Sequence, residues 1–184
     1  MTQFLWERFT TDGKLIVLYE RSGGALSALR RGRQQAPGSA PEMWPYYSRL
    51  NPDGHLTREL RAEHTCLVTY GVHQQGSRFS AHQPTVPIGE ALRRLAASER
   101  FSRQAVERHV TEFATAQQED ERGHHLLRLV NLMKASKQSI GFDYTLLFRD
   151  LTDLQNELTA PRVRRRLGAA FFSAPKTDQD PTKE

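Results

Sequence analysis

The sequence predicts an all-α fold made of two small helical bundles. Most segments place apolar residues at three- and four-residue spacing, the period of an amphipathic helix, and alternating β-branched runs are few. A stretch rich in Gln, Gly, Ser and Pro interrupts this pattern. We therefore expect an N-terminal helical lobe at 1–73, a loop-rich linker at 74–87 and a C-terminal helical lobe at 88–173.

The N-terminal half contains one ambiguous apolar run, Leu15–Tyr19, which suits a strand as well as a buried helix. The lack of partner strands favours a helix. A helix-forming run then passes into an arginine cluster, with no acidic residue anywhere in 21–33, and a Pro/Gly loop follows at Ala36–Pro41. Arg58–Tyr70 is predicted to be another buried helix.

Large aromatic side chains come directly after the Pro/Gly loop. Trp44, Tyr46 and Tyr47 are large enough to anchor the next helix in a core. We therefore expect them to hold the arginine cluster beside a rigid base.

The C-terminal half carries clear helical stripes. Asp143 is placed to cap a helix whose predicted buried stripe is Tyr144, Leu147, Phe148, Leu151, Leu154 and Leu158. A second buried face, formed by Leu126, Leu127, Val130 and Met133, leaves Arg128 pointing outward beside His124 and Asn131. In the last helix Pro161 suits the first turn, and the stripe is Val163, Leu167, Ala170 and Phe171. The segment 174–184 has no apolar residue beyond its first alanine, and we expect it to be disordered.

Composition favours an anionic partner. The 184 residues carry a net charge of +5, and 21 of the 26 basic residues are arginine, whose planar fork suits phosphate. A genomic preference for arginine codons would explain the same ratio, so the ratio alone does not establish an anionic partner. The single cysteine, Cys66, excludes an internal disulfide and a zinc site built on several thiolates, fits a reducing cytoplasm, and is expected to be buried. We find neither a signal peptide nor a membrane-spanning run, and expect a cytoplasmic protein.

Three arginine groups recur along the chain. They are Arg30, Arg31 and Arg33; Arg93, Arg94, Arg100, Arg103 and Arg108; and Arg162, Arg164, Arg165 and Arg166. The first and third groups have no acid between them, so ion pairs along their own helices cannot neutralise them. One such group usually forms only a solvent-exposed face of a helix. Three groups in one small protein favour binding of a nucleic-acid backbone without sequence preference.

The sequence contains no recognisable motif for a catalytic or metal-binding site. His55, His64, His73 and His82 fall nine residues apart, a spacing that turns successive members of a helix to opposite faces. We find no phosphate-binding glycine loop, no nucleophile elbow and no zinc-binding helix motif. We therefore expect no catalytic residue, no metal and no cofactor, and we rank a small helical enzyme last among the possible functions.

A helix-turn-helix transcriptional regulator is the alternative. The stretch ASERFSRQAVERHV, Ala97–Val110, contains a polar break at Ser98–Ser102 and a basic helix after it. That break is long for the usual turn of three to four residues.

Several stretches, taken together and in order, resemble the CasB family, the small subunit of the type I-E CRISPR surveillance complex called Cascade. They are ALSALRR with APGSAPEMWPYY, then AVERHV, then HLLRLVNLMK with GFDYTLLFRDL, and finally VRRRLGAAFF, all within Gly23–Phe172. The sequence departs from the family pattern at His109, where a second basic residue is expected, and at Gly168, where a larger polar residue is usual.

The resemblance implies a non-enzymatic, two-lobed, all-α protein that sits as a pair of copies in Cascade. Its implied partners are the other Cascade subunits, the guide RNA, the target and displaced DNA strands and a second copy of itself, with no membrane. The protein would hold backbones while base pairing reads sequence. Matching positions imply backbone contacts by Arg30, Arg31, Arg108, Arg128, Arg162 and Arg164, together with Arg33, Arg94, Lys134 and Lys137.

Overall fold

The computed structural model describes residues 3–16 and 23–173, and almost all of their regular structure is helical. A short helix α1 (Leu5–Arg8) precedes a hairpin of β1 (Thr10–Thr11) and β2 (Lys14–Leu15). The longer helices are α2 (Gly23–Arg31), α3 (Arg58–Gln74), α4 (Ile88–Ala96), α5 (Arg103–Thr115), α6 (Glu119–Ala135), α7 (Tyr144–Leu154) and α8 (Ala160–Phe172). Two 3-10 helices, Gly32–Gln34 and Pro41–Tyr46, follow α2. The predicted all-α class is confirmed.

Helix α3 lies at the centre of the molecule. Twelve of its seventeen residues are buried, and it packs against α2, α6 and α7. A helix that is buried around most of its circumference needs apolar residues on every face, and Cys66, Leu67 and Tyr70 supply them. The side chain of Thr57 caps its first turn by accepting a hydrogen bond from Leu60 N at 3.1 Å.

Residues on both sides of 74–87 belong to one hydrophobic cluster. It includes Trp6 and Leu29 from the N-terminal half and Leu92 and Phe142 from the C-terminal half. Within 74–87 no helix extends beyond Gln74, although Ser80 and His82 are buried. The division into lobes at 1–73 and 88–173 stays a prediction.

The C-terminal helices largely follow their predicted stripes. Asp143 caps α7, where its Oδ1 accepts hydrogen bonds from Thr145 N at 2.8 Å and Leu146 N at 3.1 Å. Five of the six residues predicted for this stripe are buried, from Tyr144 to Leu154. The prediction is wrong for Leu158, which is 89% exposed, because α7 ends at Leu154 and the following turn leaves the helical register.

The N-terminal half differs from prediction at two points. Leu15 lies in β2 and pairs with Thr10, so a helix beginning at Leu15 is wrong. Residues 17–19 lie outside the described residues, as does the predicted disordered segment 174–184. Trp44 is 51% exposed rather than buried, because Met43 fills the core position of this 3-10 helix. Among the described residues, none of the helices combines the length and the apolar character that a bilayer crossing needs.

Helices α4 and α8 approach closely through Gly89. A methyl group added at Gly89 would lie 2.7 Å from Ala170 Cβ and 2.8 Å from Leu167 O, both on α8. Real side chains do not tolerate such distances, so the two helices could pack this closely only with glycine here. By contrast, a methyl group at Gly168, on the same helix α8, would meet nothing within 4 Å.

We predict opposite effects from alanine at these two glycines. Gly89→Ala should lower the free energy of unfolding by about 1–3 kcal/mol, since overpacking forces the two helices apart. Gly168→Ala should raise it by about 0.5–1 kcal/mol, because alanine restricts the unfolded chain and favours helix. Urea unfolding followed by circular dichroism measures both changes, and equal stabilities for the two variants would contradict this account of the α4–α8 contact.

Candidate nucleic-acid interface

A long groove of about 1720 Å³ runs beside α3. The segment 33–37, which begins in the first 3-10 helix and continues beyond it, forms part of one wall, and α6 with the start of α8 forms part of the other. Helix α3 contributes Thr65, Val68 and Thr69 to the lining between them. The groove therefore combines residues that lie far apart in sequence.

The lining is rich in arginine and in amide side chains. Five arginines line the groove against three carboxylates, and they are Arg33, Arg61, Arg122, Arg128 and Arg164. The carboxylates are Glu119, Asp120 and Glu157, and the amides are Gln34, Gln35, Gln117, Gln118, Asn131 and Gln155. A net positive groove with many hydrogen-bonding groups suits the phosphates and polar edges of a nucleic-acid strand.

Two of the groove arginines are available to a ligand. Arg33 and Arg128 are exposed, and neither forms an ion pair with any described residue. They lie on different walls, since Arg33 follows α2 and Arg128 belongs to α6. The outward direction predicted for Arg128, His124 and Asn131 is confirmed.

The other three groove arginines hold the protein together. Arg61 pairs with Glu119 at 3.5 Å between Nη1 and Oε2. Arg164 Nε donates to Ala114 O at 2.9 Å, and Arg122 Nη2 donates to Ala116 O at 2.6 Å. Arg122 is only 3% exposed, and burial lowers its pKa. The Arg164 and Arg122 contacts tie α8 and α6 to the end of α5, and the Arg61 pair ties α3 to α6.

Sequence analysis did not single out Arg122 or Arg61 as groove residues. A signal for Arg122 was present, because it stands four and seven residues before Leu126 and Leu129 on the buried stripe of α6. The acidic residues directly before it, Glu119–Glu121, made Arg122 look like part of an exposed charged segment. Arg61 stands among other charged and polar residues at the start of α3, and nothing in the local pattern distinguished it.

His64 fixes the wall that carries Arg33. Tyr47 Oη and His64 Nδ1 lie 2.6 Å apart, and His64 also forms hydrogen bonds with the backbone of Gly32 and Gln35. Burial lowers the pKa of His64 to about 4 and raises the pKa of Tyr47 to about 12, so both groups are neutral near pH 7. Arg33 therefore projects from a backbone segment that His64 holds in place through hydrogen bonds on either side of it.

Four of the ten predicted contact residues carry acidic partners. Arg31 lies 3.8 Å from Glu42, Arg94 2.6 Å from Glu90, Arg108 4.0 Å from Glu112 and Arg162 2.9 Å from Asp153. All four are exposed, and exposed pairs of this kind are weak. A phosphate can therefore compete for these arginines. Of the ten, only Arg33, Arg128 and Arg164 line the groove.

Lys134 has a role within the fold. Its Nζ donates to three carbonyls at the end of α3, those of Val72 at 2.8 Å, His73 at 3.3 Å and Gln75 at 2.6 Å. A lysine placed here satisfies carbonyls that the helix itself leaves open. Burial, and then the nearby charge of Arg30, lower the pKa of Lys134. Because its three N–H groups already donate to these carbonyls, Lys134 has none left for a phosphate.

Two predicted residues keep unpaired side chains outside the groove. Arg30 and Lys137 form no ion pair with the described residues. Lys137 sits in the turn after α6, where its backbone φ is +60°. Cys66 is buried as predicted, and burial raises the pKa of its thiol. Within 3–16 and 23–173, no group of three or more His, Cys, Asp or Glu is arranged to hold a metal ion.

Comparison with known proteins identifies the family. The sequence profile described as CRISPR-associated protein Cse2 matches residues 25–172. This chain belongs to the Cse2 family. No curated protein shows a significant sequence match to it.

Solved structures have the same fold as this Cse2-family chain. CasB from Thermobifida fusca has a TM-score of 0.66 and 26% identity, with 83% of this chain and 86% of that one covered. CasB from Thermus thermophilus has a TM-score of 0.65 and 21% identity, covering 94% and 100%. M. ruber CasB has a TM-score of 0.66 and 20% identity, covering 91% and 90%. The family inferred from the sequence stretches is confirmed.

The neutral histidines of this Cse2-family chain predict a loss of stability in acid. The folded pKa is about 4 for both His64 and His73, below the usual 6.5 of an exposed imidazole. The unfolded chain therefore takes up protons first as pH falls from 6.5 towards 4, and each histidine should cost about 2 kcal/mol of stability between pH 7 and pH 5.

Urea unfolding at pH 7 and pH 5 measures this dependence. His64→Gln should remove the contribution of this one histidine, about 2 kcal/mol, whereas His55→Gln, at an exposed position, should keep the whole acid loss. An equal acid loss in both variants would show that His64 is not the group that titrates.

Proposed function

We propose that this chain is the non-catalytic small subunit of the type I-E CRISPR complex Cascade. In this role it holds nucleic-acid backbone without sequence preference, supports pairing of guide RNA with target DNA and retains the displaced strand. Its partners are the other Cascade subunits, the guide RNA, both DNA strands and a second copy of itself, in the cytoplasm. Base pairing supplies the sequence specificity in such a complex, so the protein has no need to read bases.

One observation carries the proposal beyond family membership. Arg33 and Arg128 present unpaired guanidinium groups on two walls of a groove whose lining also includes amides, three structural arginines and three carboxylates. Guanidinium groups bind phosphate in a bidentate fashion, and a strand lying between the walls would meet both. The exposed and weakly paired Arg31, Arg94, Arg108 and Arg162, with Arg30 and Lys137, offer further backbone contacts outside the groove.

The alternative regulator has less support from the geometry. Helices α4 and α5 would form its helix-turn-helix, but six residues, 97–102, connect them. The usual turn has three to four residues. A regulator would prefer one duplex site, whereas a Cascade subunit binds backbone of any sequence.

Salt dependence tests direct backbone binding. If about five phosphates of a single strand are neutralised, log K should fall against log salt with a slope of about −3.5. The double variant Arg33→Ala, Arg128→Ala should reduce that slope to about −2, because two contacts are lost. Arg149→Ala is the matched control, since Arg149 is exposed and unpaired within the described residues but lies outside the groove.

Fluorescence anisotropy of labelled strands with unrelated sequences measures these slopes. A flat salt dependence would contradict direct binding. A strong preference for one duplex sequence would instead favour the regulator.

The arginines at the end of α2 should act in the assembled complex. Replacing Arg30 and Arg31 by alanine should speed dissociation of bound target DNA without unfolding the protein, because both are exposed or half-buried at a helix end. Target release from reconstituted complex, with circular dichroism of the variant as a folding control, measures the effect. Unchanged dissociation would remove these two residues from the interface.

A further inference from the structure

Trp44 is an exposed tryptophan whose position is fixed. Its side chain is 51% exposed, and its indole Nε1 donates to Gly38 O at 2.8 Å. Because the ring N–H is already used inside the protein, the exposed part of the side chain can offer a ligand ring surface rather than a hydrogen bond.

The backbone around Trp44 is rigid. Tyr47 Oη accepts a hydrogen bond from Gly38 N at 3.2 Å and lies 2.6 Å from His64 Nδ1 on the central helix α3. Pro41 and Pro45 restrict the 3-10 helix that carries the tryptophan. The indole is thus fixed to the core through its partner Gly38, and little conformational entropy is lost when a ligand contacts it.

The arginine cluster at the end of α2 lies beside the 3-10 helix that carries this indole. Arg31 Nε lies 3.8 Å from Glu42 Oε1, which brings the end of α2 beside the 3-10 helix of Trp44. Of the three clustered arginines only Arg31 is paired with this helix, whose single carboxylate is Glu42, while Arg30 and Arg33 form no ion pair with a described residue. A protein partner would favour apolar side chains around the indole. Leu50 is an exposed apolar side chain near Gly38. The excess of positive charge instead favours a polyanion.

The groove and the indole share one short segment. Residues 34–37 line the groove, and the next residue, Gly38, accepts the hydrogen bond from Trp44. A strand whose phosphates contact Arg33 at the groove wall would therefore pass close to the indole. Single-stranded nucleic acids are commonly bound by a cationic track with aromatic side chains on which bases stack.

We propose that Trp44 is a stacking platform for one nucleobase of a single-stranded nucleic acid. This inference rests on the proposed function, because Arg33 and the groove hold the backbone of the same strand. Stacking tolerates any base, since every base has a π face, and so it adds affinity without sequence preference. Duplex nucleic acid, whose bases are already stacked, gains nothing from this site.

Tryptophan fluorescence tests the proposal directly. The chain contains two tryptophans, and Trp6 is fully buried, so a strand can reach only Trp44. Oligothymidylate and oligouridylate should quench the emission of the wild-type chain, and a strand of abasic sites with the same length should bind without quenching. Oligodeoxyuridylate and oligouridylate carry the same base, so unequal quenching by these two strands would tell whether DNA or RNA is the preferred source of the base.

Variants separate stacking from backbone binding. Trp44→Ala should weaken binding of the base-containing strand about 5- to 150-fold, leave abasic-strand binding unchanged and abolish quenching. Trp44→Phe should restore part of the affinity, whereas Trp44→Leu, which is apolar but has no π face, should not. Leu50→Ala is the control for the neighbouring apolar side chain.

The outcomes distinguish this inference from the proposed function. If Trp44→Ala binds both strands as the wild type does and no quenching occurs, the stacking platform is wrong while backbone binding stands. If Trp44→Ala weakens both strands equally, the tryptophan only supports the loop, and the proposal is again wrong. If neither strand binds at low salt, both the platform and direct backbone binding fail.

Discussion

The burial of α3 on nearly all sides is the constraint on which the rest of the structure depends. Its polar residues must find partners inside the protein, and those partners fix the segments around it. Glu63, fully buried, accepts hydrogen bonds from Ser48 N and Arg49 N, both at 2.8 Å, and burial raises its pKa. His64 holds the Arg33 segment, and Lys134 closes the end of the helix from α6. The polar groups of α3 and α6 thus fix the segments that form the groove walls.

The division of labour among the arginines follows from this arrangement. Arg122 and Arg164 reach backbone carbonyls at the end of α5 and are used within the fold. Arginines farther along the walls, Arg33 and Arg128, extend into the groove with no internal partner in the described residues. A chain of modest net charge can therefore present concentrated positive charge in one place. Such a surface suits a strand whose sequence is read by base pairing elsewhere.

Local patterns in the sequence were sufficient to predict the helices, the Asp143 cap and the outward position of Arg128, because each depends on spacing along one element. Properties set by contacts between distant segments were not predictable. The carbonyl partners of Lys134 lie about sixty residues away in sequence, the exposure of Trp44 depends on Met43 taking the core position, and Leu158 falls beyond the end of its helix. The arginine groups were visible, but only the fold decides which of them share a groove.

The most direct test of the central claim is the composition of the assembly that contains this chain in its own cells. The tagged chain, purified at mild salt, would be analysed by native mass spectrometry and by sequencing of the RNA that accompanies it. This account predicts two copies of the chain with several larger protein subunits and one repeat-derived guide RNA. Recovery of the chain alone, or with a single duplex DNA site and no guide RNA, would contradict it.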